Sequence, residues 1–271
     1  MKNIDLSGVI ATMIACVTCV SCQSGAHGNR DATQRVETDT IQFSDSTRIV
    51  LEIEDLEGDS FVDYYDITFI VPRSKEMAAD SIREKIRTLL GCEEREDYRK
   101  MGQESCRKYF DEHRRELEED FSFPWGYRAT FELVSQSPEY LTVVYDGYDY
   151  RGGAHGMPVC GGFTVLRDDA HILTWSDFSD NPKELLPAIE KGFCEDWGIY
   201  LEEMFVEDFK LTLPASDPWI EKDSIIFLYQ PYEIGAFAMG TPRLEVGIKG
   251  AEDSFPDDVI KPLIKRLVNS Y

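Results

Sequence analysis

From Tyr127 to Leu133 apolar and polar residues alternate, with Tyr127, Ala129, Phe131 and Leu133 on one side and Arg128, Thr130 and Glu132 on the other. Successive side chains of a strand point to opposite faces, so this run predicts a strand with one buried face. Leu141 to Arg151 is its expected hairpin partner, across the turn at Ser137-Pro138. Further strands are expected at about 47–54, Asp66–Val71, Phe163–Leu166, Ser224–Tyr229 and around Leu244, Val246 and Ile248.

Between these strands the period changes. Ala79, Ile82, Ile86, Leu89 and Leu90 share one helical face, and Gly91 supplies a stop. A second helical stretch runs to Asp120 with Cys106, Tyr109, Phe110, His113 and Leu117 as its apolar stripe, and its charges read as a solvated face. Leu185, Leu186, Ile189, Phe193 and Trp197 mark a helix opening near Asn181-Pro182, and Ile260, Leu263, Ile264, Leu267 and Val268 mark a last one. Strands in neighbouring pairs with helices interposed, and no regular β-α-β alternation, predict an α+β fold of mostly antiparallel sheet. The expected organisation is two subdomains, residues 45–150 and 151–271.

The chain of 271 residues carries 51 acidic and 28 basic side chains, a formal net charge of −23. So acidic a surface repels phosphate, which argues against nucleic acid and anionic membrane faces as partners.

Leu6 to Val20 is an uncharged, mostly apolar run, the length of a signal-peptide core and short of a membrane span. It ends in Val20-Ser21-Cys22, which resembles the lipobox of bacterial lipoproteins with Cys19 where leucine is usual. The expectation is an exported protein of the bacterial envelope: a signal peptide over residues 1–21, lipidation at Cys22, and a polar tether over residues 22–44. In that setting the membrane is reached through the lipid anchor alone. Export permits disulfides, and Cys92, Cys106, Cys160 and Cys194 allow three pairings, none of which the spacing selects.

Phosphate-cradling, nucleophile-elbow, zincin and EF-hand motifs are absent from the sequence. His27, His113, His155 and His171 form no pair at helical metal-ligand spacing. No metal or cofactor is expected.

Two aromatic clusters remain. Tyr145 to Gly156 runs an acidic, tyrosine-rich strand, with Tyr148 and Tyr150, into Gly152-Gly153-Ala154-His155. Glycines there permit positive φ and could present His155 at a surface, while the plainer reading has His155 pin the turn through a backbone carbonyl. Tyr229 to Gly240 adds Tyr229, Tyr232 and Glu233 after a strand, as a packed loop or a binding rim.

The order of Gly152-Gly153-Ala154-His155, then Leu173-Thr174-Trp175-Ser176-Asp177-Phe178, then Phe227 to Gly240 resembles a family of extracytoplasmic bacterial domains. It is similar to the domain pair shared by RsiV-type lysozyme-sensing anti-sigma factors and the N-terminal part of PdaC-type peptidoglycan deacetylases, over about Asp45 to Lys249. The resemblance implies a two-part α+β ectodomain at the envelope and assigns no catalytic residue to the shared part.

The expected function is therefore non-catalytic recognition of a glycan, a peptidoglycan fragment or a secreted protein such as lysozyme, with Tyr148, Tyr150, His155, Tyr229, Tyr232 and Glu233 as candidate binding residues. The alternative is an envelope hydrolase in which His155 acts as general base beside Asp146, Asp149 or Glu233.

Overall fold

A computed structural model describes residues 35–50, 60–119, 123–197, 211–247 and 259–269. The leader, Cys22, the end of the strand expected at 47–54, Ile248 and the side chains of Phe193, Cys194 and Trp197 lie outside the described residues.

The first sheet has β1 (Thr38–Val50), β2 (Ser60–Pro72), β3 (Gly126–Gln136) and β4 (Tyr140–Tyr150) in that order. On the far side β4 pairs with the short β5 (Met157–Pro158) and with β6 (Gly161–Leu166). All pairings are antiparallel except β2 with β3, which run parallel because α1 (Met77–Leu89) and α2 (Tyr98–Glu119) cross between them. Gly91, at φ +63°, ends α1 as expected of a left-handed stop. The helices bury the face carrying Tyr65, Ile67, Phe69, Ala129, Phe131 and Val143.

β1 begins at Thr38, inside the stretch expected as a tether to residue 44, since Ile41 and Phe43 find the first core. The sheet also runs past residue 150, because β5 and β6 pair with β4 rather than opening a separate unit.

The second sheet is an antiparallel set of β7 (Trp219–Glu221), β8 (Ser224–Leu228) and β9 (Arg243–Gly247). The alternation of β8 sorts its side chains two ways. Ile225 and Phe227 join Phe178, Leu185, Ile189, Ile264 and Leu267 in a second core. These come from α3 (Trp175–Phe178), the 3-10 turn Pro182–Leu185, α4 (Leu186–Trp197) and α5 (Pro262–Asn269). Ile226 and Leu228 instead join Trp219, against Val144 of the first sheet and Cys160 in the link before β6. Gly162 is required at this contact, since a Cβ there would fall 2.6 Å from the Trp219 indole. The fold is thus α+β with two mostly antiparallel sheets.

Among the described residues β7 has β8 on one edge only. Its other edge is met by side chains of the first sheet: Thr142 donates to the Ile220 carbonyl at 2.7 Å and Thr164 accepts from the Ile220 amide at 2.9 Å. Ser135 accepts from the Lys222 amide at 3.2 Å, and the Tyr140 hydroxyl donates to the Lys222 carbonyl at 3.2 Å. Ser135 reaches this side because the ladder of β3 slips between Leu133 and Ser135.

Cys92, Cys106 and Cys160 are free thiols, the first two buried, so no bridge joins any of these three to another. His113 lies in the first core as its stripe implies. Its Nδ1 is 2.5 Å from Asp63 Oδ2, its ring stacks on Trp125 at 4.4 Å, and Asp63 Oδ1 accepts the Trp125 amide at 2.8 Å.

Candidate functional site

Alternation along β4 sets the first part of the site. Asp149 faces the helices, where it accepts the Tyr109 hydroxyl at 3.0 Å, so Tyr148 and Tyr150 face the other way. Arg151 then clamps the strand end, with its guanidinium 4.8 Å from the Trp125 ring and 5.3 Å from Tyr109, paired to Asp149 at 3.0 Å and Glu112 at 3.1 Å. Gly152 and Gly153, at φ +87° and +81°, reverse the chain.

The reversed chain is pinned to the two tyrosines. Tyr150 donates to the Gly153 carbonyl at 3.1 Å, and the Tyr148 hydroxyl accepts the Gly156 amide at 2.6 Å. Gly156 has no room for a side chain, as a Cβ would lie 2.5 Å from the Asp149 carbonyl. His155 is left exposed beside this closed turn.

The loop after β8 supplies the second part. Tyr229 is fully buried and donates to the Thr212 carbonyl at 2.7 Å. Burial, with Glu233 nearby, pushes its hydroxyl pKa well above the ordinary tyrosine value. Glu233 accepts the amides of Gln230 at 2.7 Å and Ala215 at 2.5 Å, and Gln230 in turn donates to the Cys160 carbonyl at 3.2 Å. These contacts hold the loop against the first sheet and leave Tyr232 outside, 59% exposed and at φ +68°.

The two loops meet at three rings. His155 stacks on Phe237 with centroids 3.6 Å apart and planes at 13°. The Tyr232 hydroxyl is 3.3 Å from His155 Nε2, and its ring is 5.7 Å from Phe237. His155 Nδ1 lies 3.2 Å from the Gly156 carbonyl, which can only accept. Neutral His155 with its proton on Nδ1 therefore donates to that carbonyl and accepts from Tyr232 at Nε2.

Of the six residues singled out from the sequence, Tyr148, Tyr150, His155 and Tyr232 gather at this rim, while Tyr229 and Glu233 support it from beneath. Phe237 is the member that was missed, although it lies in the quoted Tyr229–Gly240 cluster. Neither Asp149 nor Glu233 bonds His155: Asp149 is held by Tyr109 and Arg151, and Glu233 by two amides. Among the described residues no group of three or more His, Cys, Asp or Glu side chains is placed to hold a metal. The rim offers flat aromatic surface, a phenol and an imidazole.

The plainer reading of the turn also has a physical basis, since His155 does bond a backbone carbonyl. The stacking on Phe237 of the other loop goes beyond what that pinning needs.

Comparison with known proteins places this geometry. A family described as Deacetylase PdaC matches residues 61–158, and one described as Protein of unknown function (DUF3298) matches residues 199–249. A DUF3298 family protein of Bacteroides fragilis has a similar structure, with TM-score 0.65, 18% identity, and coverage of 86% of this chain and 97% of that one. A DUF3298 family protein of Pseudomonas aeruginosa aligns with TM-score 0.55, 13% identity, and coverage of 84% and 96%. At such identities these two structures establish the shared fold alone. No curated protein matches the chain. The chain thus carries a segment similar to PdaC domains followed by one similar to DUF3298 domains, on a fold shared with DUF3298 proteins.

Proposed function

We propose that this protein is a non-catalytic recognition domain of the cell envelope, exported and held there by lipid at Cys22. Its binding rim is His155, Phe237 and Tyr232, flanked by Tyr148 and Tyr150. The observation that carries the reading is the His155–Phe237 stack beside an exposed Tyr232 at positive φ. A backbone position disfavoured for tyrosine holds an aromatic side chain at the surface, where folding alone gains little from it. The PdaC and DUF3298 segments support the envelope setting, and no helix among the described residues is long and apolar enough to cross a membrane.

The ligand classes are a cell-wall glycan or peptidoglycan fragment, and a secreted protein such as lysozyme. The net charge of −23 favours the second as well, through steering of a basic partner. The test is sedimentation with insoluble peptidoglycan and capture on immobilised lysozyme, comparing the unaltered chain with a His155→Ala/Tyr232→Ala double variant. Retention on one matrix that the double variant loses supports the reading; no retention on either, or retention indifferent to the two substitutions, overturns it.

A further inference from the structure

One face of the first sheet is covered by α1 and α2, and the second sheet meets the other where Trp219 lies over Gly162 and Val144 and where Ser135, Tyr140, Thr142 and Thr164 bond Ile220 and Lys222. Among the described residues, the opposite end of that second face carries the Gly152–Gly156 turn against Tyr148 and Tyr150 and leaves Tyr64 and Arg128 exposed. Its outermost row is Tyr64, Gly126 and Tyr150, in register across β2, β3 and β4, and the next is Asp66, Arg128 and Tyr148.

Gly126 decides the shape of the first row. A Cβ there would fall 2.3 Å from Cε1 and Cζ of Tyr64, so the tyrosine ring lies down over the glycine backbone and turns its free side to solvent, with 45% of the residue exposed. Tyr150, two strands away on the same face, is about 10 Å from Tyr64 by strand spacing, roughly the length of a disaccharide. Arg128 is exposed and Asp66 half-buried, and neither has an ion pair among the described residues. Charged groups of both signs thus stand beside the Tyr64 ring, which lies flat over Gly126.

We propose that this end of the face binds a neutral, β-linked glycan chain that runs across the strands, with sugar rings on Tyr64 and Tyr150 and hydroxyls on Arg128 and Asp66, continuing toward His155. A pyranose has an apolar C–H side that packs on a phenol ring and a hydroxyl edge that needs donors and acceptors together. A ring lying flat on a sheet surface, as Tyr64 does, suits an extended polymer rather than a small molecule. The charge of −23 disfavours a polyanion on the same face. The proposal rests on the recognition reading above and adds to it a path and a ligand class.

The probes are chitohexaose and cellohexaose, titrated calorimetrically into the full chain. Binding of at least one is expected, weakened about tenfold by Tyr64→Ala and by Arg128→Ala, and held within about twofold by Tyr64→Phe, which keeps the ring. Thermal melts of each variant separate lost binding from lost folding, and Arg128→Ala tests the face without disturbing the Tyr64–Gly126 contact. Sugar binding lost in His155→Ala but indifferent to Tyr64 and Arg128 would overturn the sheet path and leave the rim standing. Binding of neither sugar with lysozyme retained would overturn the glycan while recognition survives. Retention of none of these ligands would overturn both.

Discussion

The hydroxyls of Thr142 and Thr164 lie 2.9 Å apart, fully buried between the two sheets, and their proton order is determined by Ile220. A carbonyl can only accept, so Thr142 donates to Ile220 O and must accept from Thr164, which accepts the Ile220 amide. Amide, two hydroxyls and carbonyl close a circuit that satisfies both groups of an edge residue without a strand beside it.

Thr142→Val breaks that circuit with little change of shape, leaving the Ile220 carbonyl without its donor in a dry site. The expected loss is about 1–3 kcal/mol. Thr164→Val strands the Ile220 amide at a similar cost. Because the two act in one circuit, the double variant is expected to deviate from additivity by about 0.5 kcal/mol or more. Urea titration of the three variants checks this, and strict additivity would show that the hydroxyls act independently.

Asp63 and His113, each 0% exposed, hold the end of β2 to α2 and to the Trp125 backbone. Asp63→Ala removes the acceptor of both the imidazole and the Trp125 amide, and about 3–5 kcal/mol of stability is expected to go with it. Asp63→Asn keeps one carbonyl oxygen for the Trp125 amide and should fall between. Denaturation midpoints in that order support the assignment; Asn as damaging as Ala would place the weight on the charge.

Tyr232 offers a stability–function contrast. At φ +68° tyrosine is strained and glycine is not, and the side chain is largely exposed. Tyr232→Gly is expected to leave stability equal or raise it by up to about 1 kcal/mol while weakening ligand capture at the rim. A clear loss of stability in this variant would mean that the phenol supports the fold.

Alkaline stability follows from the buried thiols. The Cys92 thiol is pushed up to about 11 and that of Cys106 to about 12, each chiefly by burial. A thiol in the unfolded chain ionises near 8.5, so above that pH the unfolded state loses protons that the folded state keeps, and stability falls. The contribution is whole below about pH 8.5 and drops by roughly 1.4 kcal/mol per pH unit per thiol until the folded value is reached. Tyr65, Tyr109, Tyr127 and Tyr229, all raised mainly by burial, steepen the loss above about pH 10. Urea midpoints at pH 8, 9 and 10 should decline, and Cys106→Ala should flatten the decline; a level profile would contradict the burial of these thiols.

The strands with regular alternation were legible in sequence, and so was α1 with its glycine stop. Those with a functional or structural exception were not. The first half of β2 escapes because Asp63 stands at an inward position, where His113, fifty residues away, and the Trp125 amide make a carboxylate acceptable. The start of β1 escapes because its polar residues sit on an edge strand and only Ile41 and Phe43 touch the core. Periodicity carries no information on whether neighbours run parallel, so the β2–β3 pairing and the helical crossover behind it could not be read. At the rim, residue types pointed to His155 and Tyr232 but could not tell Tyr229 and Glu233, held by backbone groups beneath, from side chains at the surface. The Tyr64–Gly126 contact depends on register alone, which no local motif announces.

The slip in β3 has a consequence for chain length. Leu133 is opposite Val143 and Ser135 opposite Thr142, so Val134 is one residue more than the ladder uses. Removing it would leave both halves of the strand with their present partners, whereas a deletion elsewhere in β3 would turn every later side chain to the wrong face. Length and register are uncoupled at Val134, so a sequence one residue shorter there can keep the same joint between its sheets.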